Sequence, residues 1–290
     1  MKFNLHRPQT LDQAIDLAAM HAGRFRYIAG GTDLVVQMRR GLRSHAEIID
    51  LSSMTELRCV KKDAGSYQIG ALCTHKEIES HPGLISDFPA LCKAARVVGG
   101  HQVRNIGTVG GNIANASPAA DVAVALLGIG GIVNVRGKDG SRSISLDNFF
   151  LGPGKTVLKE SEIITSVTIP VPANRKAISY QCDFVKIGRR KAMEIAVASA
   201  AILMAFDADG RVLVSRIALG AVGPKPLRAA KAEAALQGAE LNEHVIASAA
   251  ELAGNADCAP RTDVRASDKY RRKVVQGCVS RMLAAMAAKI

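Results

Sequence analysis

Two glycine-rich stretches, Ala29-Gly30-Gly31-Thr32-Asp33-Leu34 and Thr108-Val109-Gly110-Gly111-Asn112, constrain this chain more than anything else in it. A pyrophosphate needs several N–H donors within about 3 Å, and only glycine lets backbone approach that closely without a Cβ in the way. A helix N-terminus adds partial positive charge. The first stretch has that setting: the residues before it read as a strand, the glycines as a turn, Thr32 as an N-cap, and Asp33–Arg40 as a short helix closed by Gly41. The second follows Val103-Arg104-Asn105-Ile106, continues into Ile113–Pro118 and precedes an apolar run starting at Asp121. Either stretch alone is an ordinary turn device and matches no usual nucleotide loop. Together they imply one long phosphate ligand, a dinucleotide.

The opening segment alternates strand and helix, as Lys2–Leu5, Leu11–His21, Arg26–Ala29, Asp33–Arg40 and Glu47–Leu51, with Thr10 and Gln13 spaced as a capping box. Such alternation predicts a small parallel sheet. After Met54 the pattern changes to hairpins, Arg58–Lys62 with Tyr67–Gly70 and Ile132–Arg136 with Arg142–Leu146. Helices are expected from Thr74, boxed with Glu77, and over Pro89–Val98. Pro170-Val171-Pro172-Ala173-Asn174 interrupts helix and sheet alike and reads as a linker. Beyond it, Ser179–Ile187, Ile195–Phe206 and Val212–Leu219 read as an antiparallel meander. Helices follow near Arg228–Leu236, Glu243–Ala253 and Asp268–Lys289. The fold class is α+β, in three units over residues 1–53, 54–172 and 177–290.

Composition removes several classes of function. No apolar run reaches the ~18 residues that span a bilayer, and Met1–Pro8 is not followed by the apolar core of a secretory signal. A cytoplasmic protein without membrane insertion is expected. The net charge of +12 raises nucleic acid as a partner, yet the basic residues are dispersed and aromatics are only 4% of the chain, too few for a stacking platform. Nucleic acid is therefore not an expected partner, and a basic nucleic-acid-binding module stands as the alternative of another class. The six cysteines form no C-x-x-C pair and read as buried free thiols rather than cluster ligands. His75, His81 and His101 are too loosely spaced for a metal site, and no nucleophile-and-base pair can be assembled, so neither a metal nor a catalytic side chain is expected here. Gly152-Pro153-Gly154-Lys155-Thr156 ends like a phosphate loop, but Phe149 occupies the required earlier glycine position.

The strings AGGTDL from Ala29, GHQVRNIGTVGGNIANASPAAD from Gly100, FFLGPGKT from Phe149 and EIITSVTIP from Glu162 carry a specific resemblance. In this order, over nearly the whole chain, they resemble the FAD-binding medium subunit of the molybdenum hydroxylases, the family of xanthine dehydrogenase and molybdenum carbon monoxide dehydrogenase. The resemblance implies a two-subdomain FAD-binding fold, a small parallel βαβ subdomain plus a mixed or antiparallel one, followed by an antiparallel sheet with a helical bundle. It implies FAD in this chain, and molybdenum cofactor and [2Fe–2S] clusters only in a large and a small partner subunit, assembled as a dimer of heterotrimers. Electrons would reach the flavin from the clusters and leave to an external acceptor such as NAD, the protein supplying binding, orientation and electrostatics. A self-sufficient FAD oxidase or reductase is the alternative.

Carried across by motif, the implied FAD contacts are Tyr27, Ile28, Ala29, Gly30, Gly31, Thr32, Asp33, Leu34, Val98, Thr108, Gly110, Gly111, Asn112, Ile113, Ala114, Asp121, Ile164 and Lys186. Thr32 and Thr108 suit phosphate oxygens, and an ionised Asp121, an acceptor only, suits sugar hydroxyls, though an Asp opening an apolar helix also serves as an N-cap. Val98 stands where some members place an aromatic ring near the flavin. Lys186 would bring positive charge near the isoalloxazine, and the loop Ile187-Gly188-Arg189-Arg190-Lys191 beside it would steer an anionic acceptor.

Overall fold

The computed structural model describes residues 2–171, 179–190 and 192–290. Its first unit is a parallel sheet of β1 (Asn4–His6), β2 (Phe25–Ile28) and β3 (Glu47–Asp50) in the spatial order β1-β3-β2, connected by α1 (Leu11–Met20) and α2 (Leu34–Arg39). The face of α1 carrying Ala14, Ile15 and Ala18 is buried with Phe25, Ile49 and Leu51, the i, i+1, i+4 spacing of a helix lying on a sheet. The Thr10 hydroxyl accepts from the Gln13 amide at 3.2 Å, but the Gln13 side chain turns to the Gln9 amide, so only half of the expected capping box forms. Nor is Thr32 the cap of α2. Asp33 holds that position, with no side-chain cap bond, because it already has helical angles (φ −101°, ψ −51°). That leaves Thr32 too far upstream to reach the first-turn amides.

The second unit is an antiparallel sheet of β4 (Val60–Lys62), β5 (Ser66–Gly70), β6 (Ile132–Gly137), β7 (Gly140–Ser145) and β10 (Ile163–Pro170), ordered β4-β5-β10-β6-β7, with the small pair β8 (Phe150–Gly152) and β9 (Lys155–Thr156) beside it. Both expected hairpins are present. Six short helices accompany the sheet: α3 (His75–Ser80), α4 (Pro82–Asp87), α5 (Pro89–Arg96), α6 (His101–Ile106), α7 (Val109–Asn115) and α8 (Asp121–Gly128). The Thr74–Glu77 capping box at α3 is complete. Helix α5 stops at Arg96, short of Val98. All eight residues of α8 are buried, which explains an apolar run without helical periodicity.

The third unit orders β11 (Ser179–Ile187), β12 (Ala198–Phe206), β13 (Val212–Gly220) and β14 (Leu227–Arg228) as an antiparallel sheet, followed by α9 (Ala230–Leu236), α10 (Glu243–Leu252) and α11 (Asp268–Ala287). Every residue of β12 is buried. Ala201 and Leu203 point into the core that holds α8, whereas Ala198, Ala200, Ile202, Met204 and Phe206 point into the core under α9–α11. A strand buried on both faces loses the usual polar alternation. The strand starts at Ala198 rather than Ile195, which is exposed, and residues expected to open a helix at Arg228 instead close β14. Of the expected linker, Pro170 ends β10, and residues 172–174 lie outside the described residues. All six cysteines are free, five of them buried and Cys59 half-buried.

Candidate functional site

The first and second units enclose a cleft of about 590 Å³, within the range of small-molecule and cofactor sites. Fifteen of the eighteen site residues inferred from sequence line it: Tyr27 to Leu34 without a gap, Val98, Thr108, Gly110, Gly111, Asn112, Ala114 and Ile164. The two glycine-rich stretches therefore converge on one cavity. Ile113 does not reach it, being fully buried in the core beneath α7. Asp121 and Lys186 do not line it either.

The glycines have a more particular role than open access to phosphate. A Cβ on Gly30 would lie 1.8 Å from the Ile106 carbonyl oxygen and 2.6 Å from its carbon. The bare backbone at Gly30 is what allows the first turn to press against the end of α6, just before the second stretch. Gly110 is likewise packed against protein, where a Cβ would meet the Ala71 Cβ at 2.7 Å. Its amide donates to the Ala71 carbonyl at 2.8 Å, and the Gly111 amide donates to the Thr108 hydroxyl oxygen at 3.1 Å, an N-cap bond. Those two amides are committed within the protein.

The first turn is the opposite case. The backbone amides of Gly30, Gly31, Thr32 and Asp33 have no acceptor among the described residues, although all four residues line the cleft at the start of α2. Gly31, with φ of 67°, turns the chain there through the left-handed region. Successive amides of this kind, at a helix start, form a concave anion site. Across the cleft, Thr108 keeps its hydroxyl proton free to donate while its oxygen caps α7. Asn112 accepts from the Ala123 amide at 3.1 Å through Oδ1, which orients its side-chain amide.

Several lining residues carry no motif. Arg26 and Arg43 face the cleft without a carboxylate partner among the described residues, and burial, then the proximity of Arg43, lowers the pKa of Arg26. Two unneutralised guanidiniums suit a doubly anionic ligand. His75 also lines the cavity. Burial and then the nearby Arg104 push its imidazole down to about 4, so it is neutral at ordinary pH. Burial raises the Asp33 carboxyl and the Tyr27 phenol; the phenol donates to the Ser161 carbonyl at 3.0 Å. Gly154, Lys155 and Thr156, set aside as a failed phosphate loop, line the cleft from the β8–β9 turn. Single arginines and a turn lysine have no local sequence signal; only the packing of the two units brings them here. Ile28, Leu51, Leu57, Leu72, Val103 and Ile164 supply apolar wall for flat rings.

Asp121 and Lys186 form a buried ion pair behind this wall, with Lys186 Nζ 2.6 Å from Asp121 Oδ2 and donating to the Val97 carbonyl at 3.0 Å. Asp121 is thus the first residue of α8 rather than its cap, which is Ala120. Lys186 is no surface lysine either. In the neighbouring loop, Arg190 pairs with Glu194 at 2.9 Å and Arg189 approaches the same carboxylate at 3.9 Å, so the free positive charge there is smaller than the sequence suggests. Lys191 lies outside the described residues.

Residues 1–172 match the family described as FAD binding domain in molybdopterin dehydrogenase, and residues 183–286 match the CO dehydrogenase flavoprotein C-terminal domain. The chain belongs to this family of flavoprotein subunits. It is 31% identical over 284 residues to the xanthine dehydrogenase FAD-binding subunit of Escherichia coli O157:H7, covering 98% of this chain and 95% of that one. It is 29% identical over 288 residues to the carbon monoxide dehydrogenase medium chain of Hydrogenophaga pseudoflava, covering 99% and 98%. Among solved structures, carbon monoxide dehydrogenase from Hydrogenophaga pseudoflava matches with a TM-score of 0.89 at 30% identity over 97% of this chain and 96% of that one. Quinoline 2-oxidoreductase from Pseudomonas putida 86 matches with a TM-score of 0.90 at 30% identity over 100% and 98%. The protein is therefore an FAD-dependent oxidoreductase subunit of the molybdenum hydroxylase family. A run of amides and two arginines without partners among the described residues, together with an apolar wall on the same cleft, fit the diphosphate and ring system of FAD. Among the described residues no helix is long and apolar enough to cross a membrane.

Proposed function

We propose that this chain is the electron-exit subunit of a three-subunit molybdenum hydroxylase. Electrons arrive from the [2Fe–2S] clusters of a small subunit, fed by a large molybdenum-cofactor subunit, and leave to NAD or another external acceptor. Bound in the cleft, FAD supplies the ability to take electrons singly and release them in pairs. Everything else required of this chain is binding and orientation. The free amides of Gly30–Asp33 would hold the diphosphate with Thr108 and Arg26, and Ile164 and Val98 would flank the rings. Asp121 and Lys186 would act from behind Val98, holding the Val97 carbonyl and charge in place.

The medium chains of carbon monoxide dehydrogenase among its relatives support the assembly, for which a dimer of heterotrimers in the cytoplasm is the form proposed here. Three hydrophobic cores support units at residues 1–53, 54–172 and 177–290, the first core also taking in Met54, Leu57, Leu72 and Ile163 of the second unit, and the second and third meeting at β12.

The observation that carries this reading is the run of amides at Gly30–Asp33, without acceptors among the described residues, in the lining of the cleft that Thr108 also lines. Fluorescence titration of the flavin-free chain should give one tight site for FAD. Riboflavin, lacking the phosphates, should bind at least about a hundredfold more weakly, since several charge-assisted hydrogen bonds are forgone. Replacing Thr108 by valine should weaken FAD by about tenfold, one such bond. Equal affinity for riboflavin and FAD would remove the diphosphate cradle.

A further inference from the structure

We propose that His6, His21 and Glu47 form a binding site for one divalent transition-metal ion of the Zn²⁺ type. One ring nitrogen of each histidine and a carboxylate oxygen of Glu47 lie within 4.8 Å of one another. Metal bonds of about 2.1 Å put tetrahedral donors about 3.4 Å apart, so the three atoms stand near the spacing of a loaded site.

The sheet explains the arrangement. Parallel pairing sets Asn4 of β1 opposite Glu47 of β3, and His6, two residues on, projects from the same face as Asn4. His6 Nε2 lies 2.7 Å from Glu47 Oε2, and Asn4 Nδ2 donates to the other oxygen, Oε1, at 3.1 Å. An outer hydrogen bond that fixes a carboxylate is what metal sites use to orient their ligands. His21 arrives from a third element as the C-cap of α1, its ring centroid 4.9 Å from that of His6. Its Nδ1 is shut off from solvent and has no hydrogen-bond partner among the described residues, so this ring nitrogen is not committed elsewhere.

Two imidazoles and one carboxylate select Zn²⁺, Ni²⁺ or Cu²⁺ over Ca²⁺ and Mg²⁺, which demand more oxygens. Three protein ligands leave a position for water, and His6, alone of the three, also lines an open surface depression with Arg7, Gln13, Asp16 and Met20. None of the trio lines the flavin cleft. The ion would join β1, α1 and β3, the parts of a small sheet with a small core, so binding stabilises that unit.

The test titrates Zn²⁺ and Co²⁺, as chloride salts, into the chelator-treated full-length chain by calorimetry and visible absorption. Expected are one equivalent per chain, a ligand-field spectrum for Co²⁺ of a four- or five-coordinate site, and an affinity lowered at least about tenfold in both His21→Ala and Asn4→Ala. His244→Ala, exposed and remote in sequence, should bind as the unchanged chain does. X-ray absorption of the Zn²⁺-loaded unmutated protein, independent of any variant's folding, should show two imidazoles and an oxygen. Absence of binding, affinity unchanged in His21→Ala, or sulfur in the coordination shell would overturn the site and leave His6–Glu47 as a hydrogen-bonded pair.

Discussion

Replacing Gly30 by alanine is expected to remove both the flavin and a large part of the chain's stability. The new Cβ would stand 1.8 Å from the Ile106 oxygen, 2.6 Å from its carbon and 3.1 Å from the Gly107 Cα. All three atoms are backbone, so no rotamer change relieves the overlap, and the first turn must move away from the end of α6. Overpacking without an escape costs about 3 kcal/mol or more, which for a chain of this size lowers the melting temperature by about 6–12 °C. The cleft between the first two units opens in the same movement, so FAD stoichiometry falls with stability. Gly31→Ala is the comparison. It carries the strain of φ 67°, but its Cβ meets only the side chains of Val35 and Ile28, at 3.1 and 3.2 Å, which can give way. It should cost about 1–2 kcal/mol. Melting curves of both variants stripped of flavin, followed by FAD titration, check the pair. A Gly30→Ala protein that melts as the parent does and fills with FAD would mean that the turn and α6 do not meet as described.

The second large effect is expected at the buried pair. Lys186→Met leaves the Asp121 carboxylate with neither oxygen hydrogen-bonded, since Oδ1 already lacks a partner among the described residues, and strands the Val97 carbonyl as well. Uncompensated buried charge costs about 3–5 kcal/mol at neutral pH. The loss should shrink in mild acid, where the carboxyl escapes by taking a proton. The parent protein already leans that way: burial pushes Asp121 up to about 6 against the pull of Lys186. A folded-state pKa above the ordinary 3.8 means that the folded chain holds this proton more tightly. The group's contribution to stability is therefore fully present below 3.8 and is lost as pH rises through about 6. Urea unfolding over that window should show the stability of the parent relative to Asp121→Asn falling with rising pH, a difference that cancels His75 and the paired carboxylates such as Glu162, whose lowered pKa values act in the opposite direction. The double variant Asp121→Leu with Lys186→Met should recover most of what the single lysine change loses. If Lys186→Met loses nothing at neutral pH, the carboxylate is not confined as described.

The helices and strands of this chain were legible where one face meets solvent. The period of α1, the two hairpins and the Thr74–Glu77 box all announce themselves in local residue order. Boundaries slipped where tertiary contacts overrode local preference, as at α2, whose start is set by the turn at Gly31, and at Ile195, which the sheet leaves unpaired. The glycine stretches were readable as a shared site, but the division of work between them was not. Gly30 and Gly110 look alike in sequence, yet the first sits in a turn with free amides and the second donates to Ala71. Arg26, Arg43, His75 and the β8–β9 turn reach the cleft only because separate units close on it. His6, His21 and Glu47 likewise come from three elements whose meeting depends on β1 pairing with β3 rather than β2.

What the order of residues determined was the inventory: which segments turn, which bury, and which backbone can lie bare near a phosphate, all consequences of side-chain size and spacing along the chain. Which amides remain free to bind, and which charges face each other without water, was decided only by tertiary structure. Hydrogen bonds and ion pairs are exclusive, and a donor's availability depends on whichever distant atom the folded chain sets in front of it.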